Sequence, residues 1–437
     1  MKRVLSMVLA SAMVISLAAC GGSTTSSNTS TTVAAAGETT AAAAGTESGG
    51  EVQYSQGVTD TTVLIANSAA TSGSYAPVGV PFNAGIQAYL NMVNADGGID
   101  GRTIEFIHTD DEFDPVKGKA ALQSFVEDDE VFAIVGHFGT PVVGATVDDL
   151  KGYGIPAVYF ATGIGQLYAD NATTNEEGYN IFPVQPIYTT EGQVMVARGI
   201  GTFNATKIGI IYTNDDAGKD MLTGASAKCD ELGIPYVAEQ VAAGSADVSA
   251  AVTSVLSSDV DFIICAAIQA TMPTIVKELA AQGNTSPVIT TYVNVSDAIP
   301  PLVAAEIAGK FDVYGNGWVD YDTEISQASL EEYQTWMSEV DEAYNDNVYA
   351  QTGWIAAHFF CEGLRRIEGQ DITWENYMNA METGGPIQNP FGGTISYADG
   401  NRAGTQEMNI SKINTDEQNW ELVDGLRSMD ELVASVE

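Results

Sequence analysis

The 437-residue chain is poor in basic residues and in the residue patterns that mark catalysis. It has 17 lysines and arginines against 57 aspartates and glutamates, so its formal net charge is −40. A field of that sign repels nucleic acid and anionic lipid head groups, and we expect neither as a partner. The three histidines form no metal-binding motif, and no P-loop or G-x-S-x-G elbow occurs. We therefore predict that the chain is not an enzyme and that it uses no metal and no cofactor.

Cysteine is scarce as well. Beyond the leader there are three cysteines, Cys229, Cys265 and Cys361, and they are widely spaced. No C-x-x-C pair or zinc-ligand spacing occurs among them. Cys265 lies in an apolar run, so we expect a buried strand residue there. The sequence leaves open whether two of the three form a disulfide.

The first nineteen residues have the pattern of a signal peptide. Lys2 and Arg3 form a basic start, and the apolar run Val4–Ala19 is too short to span a bilayer comfortably. The run ends in Leu-Ala-Ala before Cys20, which resembles the bacterial lipobox. An ordinary A-x-A cleavage site beside an unrelated cysteine is the alternative. We predict that residues 1–19 are removed and that a lipid on Cys20 anchors the protein, extracytoplasmically, to the cell membrane.

A segment without aromatic residues follows the leader. Gly21–Gly50 consists almost wholly of Gly, Ser, Thr and Ala, and such a composition cannot bury enough apolar surface to offset the entropy of ordering. We expect residues 20–57 to be a flexible tether. The rest of the chain, from Val58 to Glu437, has about 380 residues. It is too large for one hydrophobic core, which predicts two domains.

Short apolar runs alternate with helical segments along the body. Continuous apolar runs are typical of parallel strands that are buried on both faces, with helices as crossovers. The predicted strands are Thr62–Ala66, Thr103–His108, Val131–Gly136, Ala157–Tyr159, Lys207–Tyr212, Tyr236–Val241 and Asp261–Ala266, with a late one at Phe391–Tyr397. The predicted helices are Val80–Asn94, Pro115–Asp128, Thr189–Ile200, Gly218–Leu232, Pro273–Gln282, Ser329–Asn345 and Val348–Ile367. We therefore predict the α/β class, with parallel sheets flanked by helices.

Two helix starts carry a proline after a capping residue. Asp114 before a proline predicts an N-cap. A helix cap explains Asp114, at the end of the acidic run from Asp110, better than a calcium ligand does, because the run lacks EF-hand spacing. Thr140 also precedes a proline, just after a strand that ends at Gly136. The unpaired N–H groups of that helix start and the Thr140 hydroxyl would form an anion-binding site. The alternative is that Thr140 is only a helix cap.

Four motifs stand in a recognisable order. Ser72–Gly79 contains a Ser-Gly turn before a helix, and Asn94–Arg102 reads N-A-D-G-G-I-D-G-R. Val135–Thr140 reads V-G-H-F-G-T, and Gly392–Gly400 reads G-G-T-I-S-Y-A-D-G. In this order and spacing they resemble the leucine/isoleucine/valine-binding proteins, a family with the type I periplasmic-binding fold. The resemblance covers essentially all of the body.

The resemblance implies two Rossmann-like lobes joined by three crossovers of the chain. By position the crossovers fall near Pro183–Tyr188, Asp312–Trp318 and Pro386–Phe391. The predicted lobes are residues 58–186 plus 317–388 for lobe I and residues 187–316 plus 389–437 for lobe II.

The resemblance also implies which residues bind the ligand. Carried over by position, they are Val78, Phe138, Gly139, Thr140, Phe160, Ala161, Thr162, Tyr188, Ala217, Ile268 and Tyr292. Further candidates near the expected cleft are Tyr75, Asp216, Asn294 and Trp318, each of which an ordinary surface or packing role would also explain. The carboxylates that hold the ligand amine in the family correspond to Tyr188 and Tyr292 here, and its aromatic wall to Val78 and Ala217. This departure argues against a branched-chain amino acid as ligand.

These features combine into one prediction of function. We expect an extracytoplasmic solute-binding component of an ABC transporter. It would capture a small polar ligand, an amino acid or a related carboxylate or amide, by hinge closure and present it to a membrane permease. A ligand-sensing module of the same fold, coupled to a receptor, is the alternative. A hydrolase on this scaffold would need a titratable pair in the cleft. We expect a monomer whose membrane contact is the lipid at Cys20.

Overall fold

The computed structural model describes residues 54–174 and 176–436. The leader, Cys20 and the predicted tether up to residue 53 lie outside these residues. The tether prediction was wrong for residues 54–57, which are fixed on the body: Ser55 N donates to Ile372 O at 3.1 Å and Gln56 Nε2 to Val131 O at 3.0 Å. The strands are β1 (Thr62–Ala69), β2 (Thr103–Asp110), β3 (Ala133–Phe138), β4 (Ala157–Ala161), β5 (Ile181–Phe182), β6 (Ile208–Thr213), β7 (Tyr236–Val241), β8 (Phe262–Ala266), β9 (Val288–Thr290), β10 (Val313–Gly317), β11 (Ile387–Gln388), β12 (Thr394–Ile395), β13 (Glu407–Asn414) and β14 (Asn419–Ser428). The helices are α1 (Ala76–Ala95), α2 (Pro115–Glu127), α3 (Thr140–Tyr153), α4 (Tyr188–Gly201), α5 (Asp216–Leu232), α6 (Ser249–Leu256), α7 (Met272–Ala281), α8 (Pro300–Ile307), α9 (Glu324–Asp341), α10 (Val348–Arg365), α11 (Trp374–Thr383) and α12 (Met429–Ala434). The predicted α/β class is confirmed.

The first sheet has five parallel strands in the order β2-β1-β3-β4-β5. Its central strand β3 is buried along its whole length. Alternate residues enter two different cores. Ile65 and Val135 pack in a core with α1 and α10, whereas Ala66 and Ile134 pack in a core with α2 and α3. Helices therefore cover both faces of this sheet, as continuous apolar strands predict.

The second sheet has seven strands in the order β14-β13-β10-β9-β8-β6-β7. The strands from β7 to β10 in this order are parallel, whereas β13 and β14 are antiparallel additions at one edge. One face packs on α4 and α5 and the other on α6, α7 and α8. A small hairpin of β11 and β12 lies outside both sheets.

The chain passes between the sheets three times. It leaves the first sheet after β5, returns after β10 and reaches the second sheet again at β13. The predicted crossover at Pro183–Tyr188 agrees with the first passage. The second passage follows Gly317, because β10 still belongs to the second sheet. The third ends at Glu407 rather than near Phe391, and Thr405 N donates to Val184 O at 2.9 Å, beside the first passage. The division into two lobes stays a prediction.

The prediction for the start of α3 was wrong in one respect. Asp114 does cap α2, since its Oδ1 accepts from Val116 N at 2.7 Å and from Lys117 N at 3.2 Å. Thr140, in contrast, is the first helical residue of α3, and Gly139 is its N-cap. Gly139 has a φ of 92°, a left-handed backbone that favours glycine. The Thr140 hydroxyl is therefore not a helix cap and is available to the site.

The three cysteines in the described residues are free thiols. Cys229 of α5, Cys265 of β8 and Cys361 of α10 are all buried and free, so none of them forms a disulfide. Burial raises the pKa of each thiol to about 12. Within residues 54–174 and 176–436, no helix is both long enough and apolar enough to cross a membrane.

Candidate functional site

A cavity lies where the carboxyl ends of parallel strands from both sheets meet. This is the place at which α/β sheets bind ligands, because the loops there are free to vary while the strands fix their positions. The volume is about 740 Å³, counting the open solvent at its mouth. The part of it that can hold water-sized molecules is about 70 Å³, so the cavity is narrow in this form.

The first-sheet side of the cavity is built from the loops after β1, β2 and β3. Tyr75 and Val78 lie at the start of α1, and Phe113 lies in the loop after β2. Phe138 ends β3, and Thr140 begins α3. Three of these five side chains, those of Val78, Phe113 and Phe138, are pure hydrocarbon, so this wall is mainly apolar.

The second-sheet side comes from the loops after β8 and β9. Ile268 and Gln269 follow β8, and Tyr292 and Val293 follow β9. Tyr188, the first residue of α4, completes this wall. The cavity is thus lined by residues from both sheets.

The passages between the sheets and helix α10 close the remaining sides. Gln185 lies on the first passage and Trp318 on the second, and both line the cavity. From α10, Tyr349 and Thr352 contribute. A movement of one sheet against the other would change the shape of this cavity directly, because its walls include the connecting segments.

The acidic run after β2 supports an aromatic pair. Ser68 donates to Asp111 Oδ2 at 2.7 Å, and Phe113 N donates to Asp111 Oδ1 at 2.8 Å. This fixes Phe113, whose ring stacks on Tyr75 with a centroid separation of 3.7 Å and an interplanar angle of 15°. A Cβ at Gly139 would lie 2.5 Å from a ring carbon of Phe113. Position 139 therefore has to be glycine, because a side chain there would displace the Phe113 ring from its stack on Tyr75.

A pair of hydroxyls lies at the start of α3. Thr140 Oγ1 and Thr162 Oγ1 are 2.8 Å apart, and either can donate to the other. Thr162 Oγ1 also accepts from Ile164 N at 3.2 Å. The Thr140 N–H, in the first turn of the helix, has no intrahelical acceptor. The start of α3 thus presents hydrogen-bond donors and the positive end of the helix dipole to the cavity.

A buried carboxyl group holds Tyr292 in position. Glu191 Oε1 accepts from Tyr292 N at 2.8 Å and from Asn316 Nδ2 at 3.2 Å, and Glu191 Oε2 accepts from the Thr291 hydroxyl at 2.6 Å. Burial raises the pKa of Glu191 to about 7, although these hydrogen bonds and the charge of Arg198 act in the opposite direction. Glu191 therefore orients the loop that carries Tyr292 without facing the cavity itself.

The cavity wall carries no formal charge. Among the described residues that line it there is no Asp, Glu, Lys, Arg or His. Burial raises the pKa of Tyr75 and of Tyr188 to about 12, and burial also raises the pKa of Tyr292 well above its usual range. The tyrosines are therefore neutral at physiological pH. The site can offer hydrogen bonds and apolar contact, but no ion pair.

The structure brings most of the predicted residues together. The cavity is lined by Tyr75, Val78, Phe138, Gly139, Thr140, Ala161, Tyr188, Ile268, Tyr292 and Trp318. Three of the residues carried over by position and two of the further candidates do not line it: Phe160 packs in the core beneath α3, Thr162 lies behind Thr140, Ala217 is fully buried in the core, Asp216 is exposed at the start of α5, and Asn294 donates to Ala267 O.

Several lining residues were missed at the sequence level. They are Phe82, Phe113, Gln185, Gln269, Val293, Val295, Gly317, Val319, Val348, Tyr349 and Thr352. Phe113 is the one aromatic residue in the acidic run from Asp110 to Asp114. The acidic side chains of that run suggested a calcium site or a helix cap, not a wall of the cavity. In the part of the chain that the structure describes, no group of three or more His, Cys, Asp or Glu side chains is arranged to hold a metal.

Two hydrogen bonds join the two sides beside the cavity. Gly165 N, in the loop after β4, donates to Asp220 Oδ2 of α5 at 2.7 Å. The Tyr349 hydroxyl of α10 donates to Ser296 Oγ, after β9, at 2.8 Å. Neither bond lies within one sheet and its own helices. They therefore link the two sides to each other beside the cavity.

The chain belongs to the periplasmic binding protein family, whose sequence profile matches residues 62–418. It is 24% identical over 341 residues to Leu/Ile/Val-binding protein homolog 1 of Brucella abortus (strain 2308), which covers 77% of this chain and 86% of that protein. Members of this family are extracytoplasmic binding proteins. The chain has the type I periplasmic-binding fold that the solved structures below share.

Solved structures share this fold at low sequence identity. A branched-chain amino acid ABC transporter protein from Thermus thermophilus with bound valine has a TM-score of 0.73 and 16% identity, over 87% of this chain and all of that one. A fatty acid ABC transporter substrate-binding protein from Thermomonospora curvata has a TM-score of 0.71 and 19% identity, over 88% and 96% of the two chains. These likenesses establish the fold alone.

Proposed function

We propose that the protein is the solute-binding component of an ABC transporter and that it captures a small molecule in the cavity between its two sheets. The observation that carries this proposal is the composition of the cavity wall, which takes residues from both sheets and from the passages between them. A site of this kind is complete only when the two sides are close together. Ligand binding and closure are therefore coupled, because the ligand contacts both walls only in the closed form.

The hydrogen bonds across the mouth would stabilise the closed form. The Asp220 carboxylate accepts from a main-chain N–H of the opposite side, and the Tyr349 hydroxyl donates to Ser296. Opening would expose both pairs to water. These bonds stabilise only the closed form, because they are broken on opening. They should therefore slow the release of a bound ligand.

The proposed ligand is an amino acid or a related carboxylate or amide. The valine and the fatty acid named for structural relatives both carry a carboxylate with an apolar body. The start of α3 offers donors for such a head group, and the aromatic walls offer apolar contact for the body. The proposed partner is a membrane permease that recognises the closed form, and the proposed anchor is a lipid on Cys20.

Calorimetry and thermal unfolding test the binding step. The purified protein is screened against amino acids, short carboxylic acids and amides, and hits are titrated. A ligand at one hundred times its Kd should stabilise the protein by about 2.7 kcal/mol. Small-angle X-ray scattering should show a smaller radius of gyration with the ligand. Failure of every compound to bind would contradict the proposal.

A matched pair of variants tests the closure contact. Asp220→Ala removes the acceptor of Gly165 N and should raise the ligand dissociation rate by about tenfold, as expected for a lost charged hydrogen bond. Asp230→Ala removes the same charge from an exposed position of the same helix and should leave the rate unchanged. Equal rates in the two variants would show that the contact does not hold the closed form.

Uptake and labelling experiments test the cellular role. Deletion of the gene should abolish high-affinity uptake of the ligand by the host, and the wild-type gene should restore it. Cys20→Ser should abolish incorporation of a labelled fatty acid and release the protein from the membrane fraction, whereas Cys229→Ser should do neither. Normal uptake after deletion, with loss of a ligand-dependent signal, would instead support a sensory role.

A further inference from the structure

We infer that the ligand carries no ammonium group and is an apolar monocarboxylic acid or its amide. This rests on the proposed function, since it assumes that the cavity is the binding site. It narrows the class of ligand and separates compounds that differ only in an amino group. The inference follows from the charges, the apolar surface and the hydrogen-bonding groups that the cavity presents.

The first argument concerns charge. An ammonium group brings a positive charge and three N–H donors, all of which need acceptors when water is excluded. No carboxylate lines the cavity among its described residues. Burying an ammonium there would leave the charge without a counter-ion. The site therefore disfavours every free amino acid relative to its analogue without the amine.

Three carboxylates close to the wall, those of Glu191, Asp215 and Asp220, are already engaged elsewhere. Glu191 accepts three hydrogen bonds behind Tyr292 and does not line the cavity. Asp215 caps α5 by accepting from Gly218 N at 2.9 Å and from the Thr213 hydroxyl at 2.8 Å. Asp220 accepts from the main chain of the opposite side. Turning any of them toward a ligand would leave a buried or capping donor without its partner.

The second argument concerns the body of the ligand. Tyr75 and Phe113 form one stacked wall, and Phe138, Ile268 and Trp318 supply further apolar surface. Trp318 is only 4% exposed in the structure. Apolar surface of this extent is stabilised when it covers hydrocarbon or an aromatic ring.

The third argument concerns the head group. The Thr140 N–H lies at the positive end of α3, a helix of 14 residues, and the Thr140 hydroxyl can donate to a ligand when the Thr162 hydroxyl donates to it. They suit an acceptor, either a carboxylate or an amide carbonyl. No lysine or arginine lines the cavity among the described residues, so a second negative charge would have no partner. One acceptor head on an apolar body is the chemistry that these groups match.

Matched ligand pairs test the inference by calorimetry with the purified protein. The pairs are phenylalanine with 3-phenylpropanoate and leucine with 4-methylpentanoate, and 3-phenylpropanamide distinguishes the acid from the amide. The compound without the amine should bind at least about tenfold more tightly than its amino acid partner in one pair or both. Equal binding or tighter binding of the amino acid would overturn the inference.

An isosteric variant tests the electrostatic reason. Gln269→Glu adds one carboxylate to the cavity wall and should shift the affinity ratio toward the amino acid by at least about fivefold. Gln240→Glu adds the same charge on the exposed edge strand β7 and should leave the ratio unchanged. A ratio that is unchanged in Gln269→Glu would overturn the inference.

The two proposals fail separately. If free amino acids bind at least as tightly as their analogues without the amine, the inference is wrong and the solute-binding function stands. If neither pair binds, a free amino acid among the hits of the wider ligand screen overturns the inference, whereas an apolar monocarboxylic acid or its amide among them supports it. If no compound of any class binds, the proposed function fails as well.

Discussion

The buried carboxyl of Glu191 makes the stability of the protein depend on pH in a defined direction. The Glu191 side chain is fully buried, and its ordinary pKa of 4.5 is raised to about 7 by the loss of water around it. Between those two pH values the folded protein keeps a proton that the unfolded chain has released. The associated stability is complete below about pH 4.5 and is lost as the pH rises through about 7.

The size of the effect follows from the shift. Each pKa unit corresponds to about 1.4 kcal/mol, so the loss between pH 4.5 and a pH well above 7 is about 3 kcal/mol. Glu191→Gln mimics the protonated form, because its amide oxygen can still accept from Tyr292 N and the Thr291 hydroxyl can reverse its role. The variant and the wild type should therefore be similarly stable near pH 4.5, and the variant should be more stable by about 3 kcal/mol at pH 8.

Urea unfolding of both proteins at a series of pH values measures this difference. Many other carboxylates titrate in the same range, but they do so equally in both proteins and cancel in the comparison. Glu339→Gln removes a negative charge from an exposed position on α9 and serves as the control, with no comparable pH-dependent gain. A constant difference between wild type and Glu191→Gln from pH 4.5 to pH 8 would refute the reasoning.

Three further outcomes follow from the contacts around the cavity and the core. Thr140→Val leaves the Thr162 hydroxyl without its partner and removes a donor from the site, so calorimetry should show about tenfold weaker ligand binding, while Thr223→Val on the exposed face of α5 should bind normally. Gly139→Ala places a Cβ against the Phe113 ring at a φ of 92° and should cost about 1–3 kcal/mol more in urea unfolding than Gly154→Ala, whose Cβ meets nothing at a φ of 70°. A thiol reagent should not label the native protein at its three buried cysteines and should label all three in urea, whereas rapid native labelling would contradict their burial.

The parallel strands of the fold were predictable because their pattern follows from their burial. β3 and β8 are buried along their whole lengths, so their residues are continuously apolar. β13 was missed because its sequence is largely polar. It runs between β10 and β14, where Asn409 and Ser411 are buried and Asn409 donates to Val319 O. Only the tertiary partner of such a polar residue shows that it belongs inside a sheet.

The site could be predicted in part, for a related reason. The start of α3 was found because a strand end, a helix start and a threonine stand within a few residues of one another. Tyr349 could not be found in this way, because it reaches the cavity from α10, 209 positions after Thr140 in the sequence. Glu191 reads as an ordinary acidic residue in the first turn of a helix. Its role depends on Thr291 and Asn316, which the fold alone brings to it.

An anionic ligand must approach a strongly acidic protein to reach this cavity. The formal net charge of −40 repels a carboxylate at a distance, whereas the donors at the start of α3 act only at contact. Salt screens the distant repulsion within about 8–10 Å and leaves the buried hydrogen bonds almost unchanged. Stopped-flow measurements between 10 mM and 150 mM salt should therefore show the association rate of 3-phenylpropanoate rising by about two- to fivefold. The rate of 3-phenylpropanamide, which has no charge, should stay constant. An equal response of acid and amide to salt would show that the acidic surface does not influence capture.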